Sequence, residues 1–183
     1  MSIVSLVTVS IVTLLGLAIF GAYLAFGTSS ADAAKEADPN IVVTLRGTGI
    51  PADTPRDVDS NALCFETELF DTNTDRLIGD GLDCLIILDA GAAGMSVDRT
   101  TVFNFPEGRM VARGLTTVVP IFGDASPEYT HVVGDVNPNT LNVISGTKRF
   151  EDRTGNVRLS GIVNLSDFPN FIEFNCIFVI DLD

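Results

Sequence analysis

Three carboxylates have the spacing that acid–base chemistry on a β-sheet requires. Glu66 and Glu68 alternate along one predicted strand, and a hairpin that places Cys64 opposite Cys84 also places Asp80 opposite Glu68 on the same face. Facing a closed interior, the three carboxylates would have raised pKa values and transfer protons. Facing water, they would form an ordinary charged surface, where most acidic residues lie. The sequence leaves both alternatives open for these candidate catalytic residues.

The three cysteines are Cys64, Cys84 and Cys176. If residues 63–71 and 76–88 form a hairpin, Cys64 faces Cys84 within reach of a disulfide, which an oxidising compartment would favour. The alternative is that both are small buried hydrophobic residues. The sequence contains no C-x-x-C pair and no zinc ligand set, so we predict neither a metal nor a cofactor.

His131 is the only histidine, and it alternates onto the face of Tyr129 and Val133. A single histidine without identifiable partners does not make a metal site, so we interpret it as a structural or surface residue and keep it as a further acid–base candidate. The net charge of -13 argues against nucleic acid as a partner, because phosphate binding needs clustered Lys and Arg.

From residue 41 onward, apolar-rich segments alternate with Gly, Pro, Asn and Asp clusters, and we find no long amphipathic helix. This pattern predicts an all-β domain over residues 41–183, most simply a closed antiparallel barrel of about eight strands, with a two-sheet sandwich as the alternative. The predicted strands are 41–47, 62–70, 77–88, 100–105, 109–119, 129–133, 140–145, 156–165 and 171–182.

One stretch carries a family resemblance. Residues 145–161 read SGTKRFEDRTGNVRLSG, which resembles the barrel of allene oxide cyclases and dirigent proteins: a Gly-Gly-Thr-Gly turn before an aromatic residue, then a strand of the Gly-x-Val-x-Leu-x-Gly type. The upstream order Phe70-Asp71, Ile78-Gly79 and Cys84 is also similar to that family. The matching positions are Gly146, Thr147, Phe150, Gly155, Val157, Leu159 and Gly161, whereas Ser145, Lys148 and Arg153 depart from the pattern.

The resemblance covers about residues 62–182 and implies a barrel whose lumen hosts a hydrophobic small molecule. The cyclases hold a reactive substrate there, and dirigent proteins orient radicals without oxidising them. The matched positions are turn glycines and apolar strand residues, so no catalytic residue is carried over from the family. An enzyme of this type would need groups such as Glu66, Glu68, Asp80 or His131 inside the lumen.

The N-terminus contains an uncharged run of 24 residues, Ile3 to Phe26. As a helix it would measure roughly 36 Å, enough to cross a hydrocarbon core of about 30 Å. We therefore predict a transmembrane helix over residues 1–27 and a linker over 28–40. The alternative is a cleaved signal sequence, since Ala31-Asp32-Ala33 has the A-x-A pattern of a cleavage site. Acidic residues after the run predict that the barrel lies on the extracytoplasmic side, periplasmic or extracellular.

Small residues line one face of this predicted helix, at positions Ala18, Gly21, Ala22 and Ala25, and such a face lets a second helix approach closely. The sequence thus supports a membrane-anchored, non-catalytic barrel that serves as an accessory or assembly subunit of a membrane protein complex. The alternative is an exported cyclase, isomerase or dirigent-like protein that binds a hydrophobic small molecule. The first predicts a lumen filled by side chains, and the second predicts an open apolar lumen.

Overall fold

The computed structural model describes residues 40–91, 93–122, 126, 128–135 and 139–183 of the 183-residue chain. This part of the chain is built of strands, as predicted, with one 3-10 turn at Lys148–Phe150. The strands are β1 (Ile41–Ala52), β2 (Leu63–Asp71), β3 (Arg76–Gly91), β4 (Gly94–Phe105), β5 (Gly108–Pro120), β6 (Tyr129–Gly134), β7 (Val143–Gly146), β8 (Gly155–Asn164) and β9 (Ile172–Leu182).

Eight of these strands close into one antiparallel barrel. Neighbours pair in the order β1, β2, β3, β4, β5, β6, β8 and β9, and β9 pairs back to β1. The short β7 lies outside this ring and pairs with β5. The predicted closed barrel of eight strands is therefore confirmed, and the alternative sandwich is not observed.

The predicted membrane helix over residues 1–27, with its small face at Ala18, Gly21, Ala22 and Ala25, lies outside the described residues. So does the linker before residue 40. Within the described ranges, no helix is long and apolar enough to cross a membrane.

One end of the barrel is closed by packed aromatic rings. Phe103 meets Phe178 edge to face at 5.2 Å between ring centroids, and Phe105 lies 5.2 Å from Phe150. The 3-10 turn brings Phe150 onto this end, where its side chain is buried. Gly108 makes this approach possible, because a Cβ there would overlap the Thr147 carbonyl oxygen. Each such buried apolar side chain contributes about 1.5–3 kcal/mol to folding.

The segment before β2 crosses the outer surface of the barrel. Ala62 and Val58 pack on the Cys64 and Cys84 side chains, so both cysteines are buried although they point away from the lumen. Arg109 of β5 holds the segment with two hydrogen bonds to the Asp57 carboxylate, at 3.1 and 2.9 Å. This covering segment makes a second, small apolar cluster on the outside of the barrel.

Candidate functional site

The three predicted carboxylates lie on the outer surface. The predicted register of β2 and β3 is confirmed, since Glu66 pairs with Leu82 and Glu68 with Asp80. Glu66 and Glu68 are exposed, whereas Thr67 between them is buried. Asp80 is half-buried and accepts a hydrogen bond from Asn104 at 2.5 Å. The three carboxylates therefore face water, as in the second of the two predicted alternatives, and none of them can act on a molecule in the lumen.

His131 also faces outward. Its side chain is exposed on β6, and Nε2 lies 3.2 Å from the Ser160 hydroxyl oxygen. The part of the chain that the structure describes contains no group of three or more His, Cys, Asp or Glu that can hold a metal ion. His131 is therefore a surface residue of β6 that contacts the neighbouring strand β8.

Cys64 and Cys84 form a disulfide across β2 and β3. Cys176 is free and buried on β9, where its side chain lines the cavity. Burial, with a smaller contribution from the negative charge of Asp83, raises the pKa of the Cys176 thiol to about 12. Cys176 is therefore an inert thiol at neutral pH, because the thiolate is the reactive form.

A cavity of about 60 Å³ occupies the half of the barrel opposite the aromatic end. Of the 18 described residues that line it, all but Asp83, Arg99 and Thr116 are apolar or cysteine. Phe168, from the loop between β8 and β9, contacts Phe65 at 6.0 Å between centroids and covers part of this end. The apolar wall includes Met95, Val97, Val118, Val132, Leu159 and Phe174. The lumen is thus filled by side chains at one end and contains this cavity at the other.

The charged group at the floor of this cavity is Arg99, whose side chain is 0 % exposed. Its Nη2 donates a hydrogen bond to the Asp135 carboxylate at 3.2 Å, and its guanidinium carbon lies 5.2 Å from the centroid of the Phe178 ring. Neither Nε nor Nη1 makes a hydrogen bond to any of the described residues. Buried polar groups are almost always partnered, so two unpartnered guanidinium nitrogens are an unusual feature of this interior.

Asp83 lines the same floor and is 5 % exposed. Burial raises the pKa of the Asp83 carboxyl, whereas the positive charge of Arg99 and the Thr101 hydroxyl, which donates to Asp83 at 2.5 Å, act in the opposite direction. The Thr116 hydroxyl is also buried, with no partner among the described residues. Polar side chains therefore pack at the bottom of a cavity whose accessible surface is almost entirely apolar.

These residues were not among those predicted from the sequence, although their position carried a signal. In β4, Met95, Val97, Arg99, Thr101 and Phe103 alternate onto one face, and that face is largely apolar. The alternation places Arg99 inside once the face of Phe103 is taken as the core. Charged residues mostly lie outside, which argues against a buried Arg99 from the sequence alone.

Comparisons with known proteins add little to this geometry. No protein-family model and no curated protein matches the sequence. Among solved structures, the chain is similar to "Pyocyanin demethylase", with a TM-score of 0.41 and 10% sequence identity over 79% of this chain and 99% of that one. A similarity this low carries no argument about activity. The fold and site define an eight-stranded barrel with a polar-floored apolar cavity, and membership of the allene oxide cyclase and dirigent group stays a prediction.

Proposed function

We propose that this chain is a membrane-tethered, extracytoplasmic barrel that binds a small, mainly apolar molecule in its lumen. The observation that carries the proposal is the cavity itself, with its apolar wall and the buried side chains of Arg99 and Asp83 at its floor. Ligand sites in proteins typically combine a mostly apolar lining with a few placed polar groups. Eight-stranded barrels are also of the width that holds one small ligand.

The size of the cavity limits the ligand. One water molecule needs about 10–15 Å³, so about 60 Å³ admits several waters or one small organic group. Transfer of apolar ligand surface from water to this wall is favourable by about 25 cal/mol per Å². The filled half of the barrel, with Phe103 and Phe178 in contact, sets the depth that a ligand reaches.

The proposed location rests on two features. The uncharged run Ile3 to Phe26 is long enough to anchor the chain in a membrane. The disulfide between Cys64 and Cys84 fits an oxidising, extracytoplasmic compartment. Both features support a tethered protein that meets its ligand outside the cytoplasm.

Methionine methyl groups offer a direct test of lumen binding. The chain has three methionines, of which Met95 lines the cavity and Met110 is fully buried outside the cavity lining. In the full-length chain, labelled at the methionine methyl carbons and held in lipid nanodiscs, xenon should shift the Met95 signal in a saturable manner and leave Met110 unchanged. An unmoved Met95 signal with every apolar probe would overturn the proposal.

A matched pair of variants controls for partitioning of the probe into lipid. Val132→Phe places an aromatic ring in the cavity wall, where it fills the space for the probe, and should abolish the Met95 response. His131→Phe adds the same ring on the outward face of the same strand and should leave the response intact. Equal responses in both variants would show that the probe does not enter the lumen.

A second candidate function is the accessory subunit of a membrane complex. Its support is the predicted anchor together with Ile162 and Ile177, which are 46% and 45% exposed on the outer surface of β8 and β9. Extraction from native membranes in mild detergent, followed by intact mass measurement, tests it. A chain that keeps Met1 within a stoichiometric assembly would support this role, and a free chain beginning near Ala34 would exclude it.

A further inference from the structure

The outer surface of the barrel has a charged side and an uncharged side. On β1, β2 and β3 the outward positions include Arg46, Glu66, Glu68 and Asp80. On β6, β8 and β9 two neighbouring rows of outward side chains contain no acid, lysine or arginine. One row is His131, Ile162 and Asn175, and the next is Val133, Ser160 and Ile177. Apolar patches with a polar border typically mark contact sites, and this one carries none of the chain's net charge of -13.

The uncharged side is also uneven in shape. Ile162 of β8 projects from it and is 46% exposed. The next outward position on β8 is Ser160, whose short side chain lies in an open depression that Val133, Ile177 and Val179 also line. A projecting side chain and a depression therefore lie side by side on one strand.

This shape is complementary to itself under a two-fold rotation. An axis in the plane of contact, perpendicular to β8 at the level of Gly161, brings Ile162 of each copy over Ser160 of the other. The same rotation lays the whole row of Ile162 over the row of Ser160, so apolar and neutral polar side chains meet and no carboxylate is buried. A two-fold contact uses one surface patch on both copies, as this match requires.

The charges at the two ends of this face are complementary in the same way. Arg158 and Asn164 lie on β8 at equal distances before and after Gly161, and Glu173 of β9 pairs with Asn164. The rotation therefore brings Arg158 of each copy close to Glu173 of the other. Within one copy these two side chains lie about 20 Å apart along the sheet. Among the described residues, no carboxylate forms an ion pair with Arg158.

The size of the face fits a weak contact. It extends roughly 20 Å along the strands and, with Thr117 and Val119 of β5 continuing the two rows, roughly 20 Å across. Each copy thus contributes about 400 Å², and the pair about 800 Å², which is half of a standard interface. Such a contact forms where copies are concentrated, as they are when a membrane anchor confines them to one plane.

We propose that the uncharged side of β5, β6, β8 and β9 is the contact surface for a second copy of this chain, in a weak two-fold dimer. The dimer is separate from ligand binding and rests on the proposed function only for the anchor. A second copy fits because one face supplies the projection and the depression, and both Arg158 and Glu173. Two copies of like net charge repel one another, and the repulsion is least where the facing surfaces carry no carboxylate.

Energy transfer between full-length chains in phosphatidylcholine vesicles tests the contact. Asn73→Cys, in the exposed turn after β2, supplies one reactive thiol for a dye, because Cys176 is buried and the other two cysteines are joined. Donor-labelled and acceptor-labelled copies should show transfer that saturates as the number of chains per vesicle rises. Transfer that never exceeds the level of random crowding would overturn the proposal.

A matched pair of variants locates the contact. Ile162→Glu places a carboxylate at the centre of the face and should reduce transfer to the crowding level. Leu77→Glu makes the same type of change on β3, on the far side of the ring from β8, where Leu77 is 53% exposed, and should leave transfer unchanged. Equal transfer in the two variants would show that the uncharged side is not the contact.

Exchanging the charges of Arg158 and Glu173 tests the two-fold arrangement. Arg158→Glu alone and Glu173→Arg alone should each weaken association roughly tenfold, since the axis repeats each like-charge contact. The double variant should return to within about twofold of the wild type. The two residues do not meet within one copy, so this rescue arises only between copies, and its absence would overturn the arrangement.

The outcomes separate this proposal from the proposed function. A chain that stays monomeric but shows a saturable Met95 response to xenon would overturn the dimer and leave lumen binding standing. A dimer whose Met95 signal does not respond would have the opposite meaning. A chain that leaves the vesicles would contradict the anchor, and sedimentation of the charge-exchange variants in solution would then decide whether the contact exists.

Discussion

Arg99 and Asp135 form an ion pair inside the barrel, with 3.2 Å between Nη2 and the carboxylate oxygen. The side chains are 0% and 8% exposed, so both partners are removed from water. Arg99 belongs to β4, and Asp135 follows β6 directly with a φ of 52°. The pair therefore joins two strands that both border β5 and fixes the guanidinium at the cavity floor. Removing one partner of such a buried pair costs about 3–5 kcal/mol.

The absence of a side chain at Gly114 of β5 leaves room for the Asp135 carboxylate, because a Cβ at this position would overlap both carboxylate oxygens. Gly114→Ala is therefore expected to displace Asp135 and weaken its pairing with Arg99. We predict a loss of about 2–4 kcal/mol in the free energy of unfolding. Urea unfolding of the full-length chain in mild detergent, followed by circular dichroism, measures it.

Gly91→Ala is the matched control for this prediction. A Cβ at Gly91 meets nothing within 4 Å, so this variant should unfold within about 0.5 kcal/mol of the wild type. A loss of stability in Gly91→Ala as large as that in Gly114→Ala would contradict the role assigned to the Asp135 carboxylate.

Asp83 makes folding stability depend on pH with a defined sign. Its pKa is raised in the folded barrel, chiefly by burial, so its contribution is full below about pH 4 and is lost as pH rises through the folded-state value. Asp83→Asn removes this ionisation, and its amide oxygen can still accept from Thr101. We predict that the variant gains stability relative to the wild type as pH rises from 4 to 8. Unfolding curves at five pH values measure the trend.

Asp71 provides the opposite case on the outer surface. Hydrogen bonds from the Thr74 side chain and backbone lower the pKa of the Asp71 carboxyl, so its contribution is present above pH 4 and lost on acidification. Relative to the wild type, Asp71→Asn should therefore lose stability as pH rises. A parallel trend in the two variants would show that burial of Asp83 does not cause its pH dependence. The pKa of Asp135 is also raised by burial, so Asp135 contributes to the pH dependence of stability in both variants.

Sequence patterns predicted the fold well because strands and turns are local. Alternation and turn residues located all nine strands, and the pairing of Cys64 with Cys84 fixed the register of one hairpin. The largest error was β4, which begins at Gly94 rather than at Thr100. Met95 and Val97 continue the inward alternation of that strand, so the sequence pattern is consistent with a start near Gly94.

The site was predicted less well because register does not specify which face is inside. Glu66 and Glu68 satisfied every pairing requirement and still lie on the outer surface, since Phe65 and Leu69 occupy the core face of the same strand. Arg99 is the converse case. Its burial depends on Asp135, which is 36 residues away and brought close only by closure of the barrel. A pairing of this kind has no local signature.

The disulfide should stabilise the barrel because it restricts the conformations available to the unfolded chain. Cys64 and Cys84 are 20 residues apart, for which the chain-entropy relation gives about 3 kcal/mol. Reduction with dithiothreitol is expected to lower the free energy of unfolding by about this amount. A double variant, Cys64→Ala with Cys84→Ala, should be insensitive to the reductant. An unchanged stability of the wild type on reduction would argue that the two thiols are not joined in the mature protein.

Cys176 reports on access to the lumen. Its pKa of about 12 leaves roughly one thiolate in ten thousand at pH 8, and its side chain is buried in the cavity wall. Ellman's reagent should therefore detect no thiol in the folded chain and one thiol per chain after unfolding in guanidinium, because the other two cysteines are joined. Any slow reaction of the folded chain requires opening of the barrel, so saturating xenon should slow it further. The Cys176→Ala variant sets the background, and a fast reaction at pH 8 that xenon does not affect would contradict a closed, ligand-binding lumen.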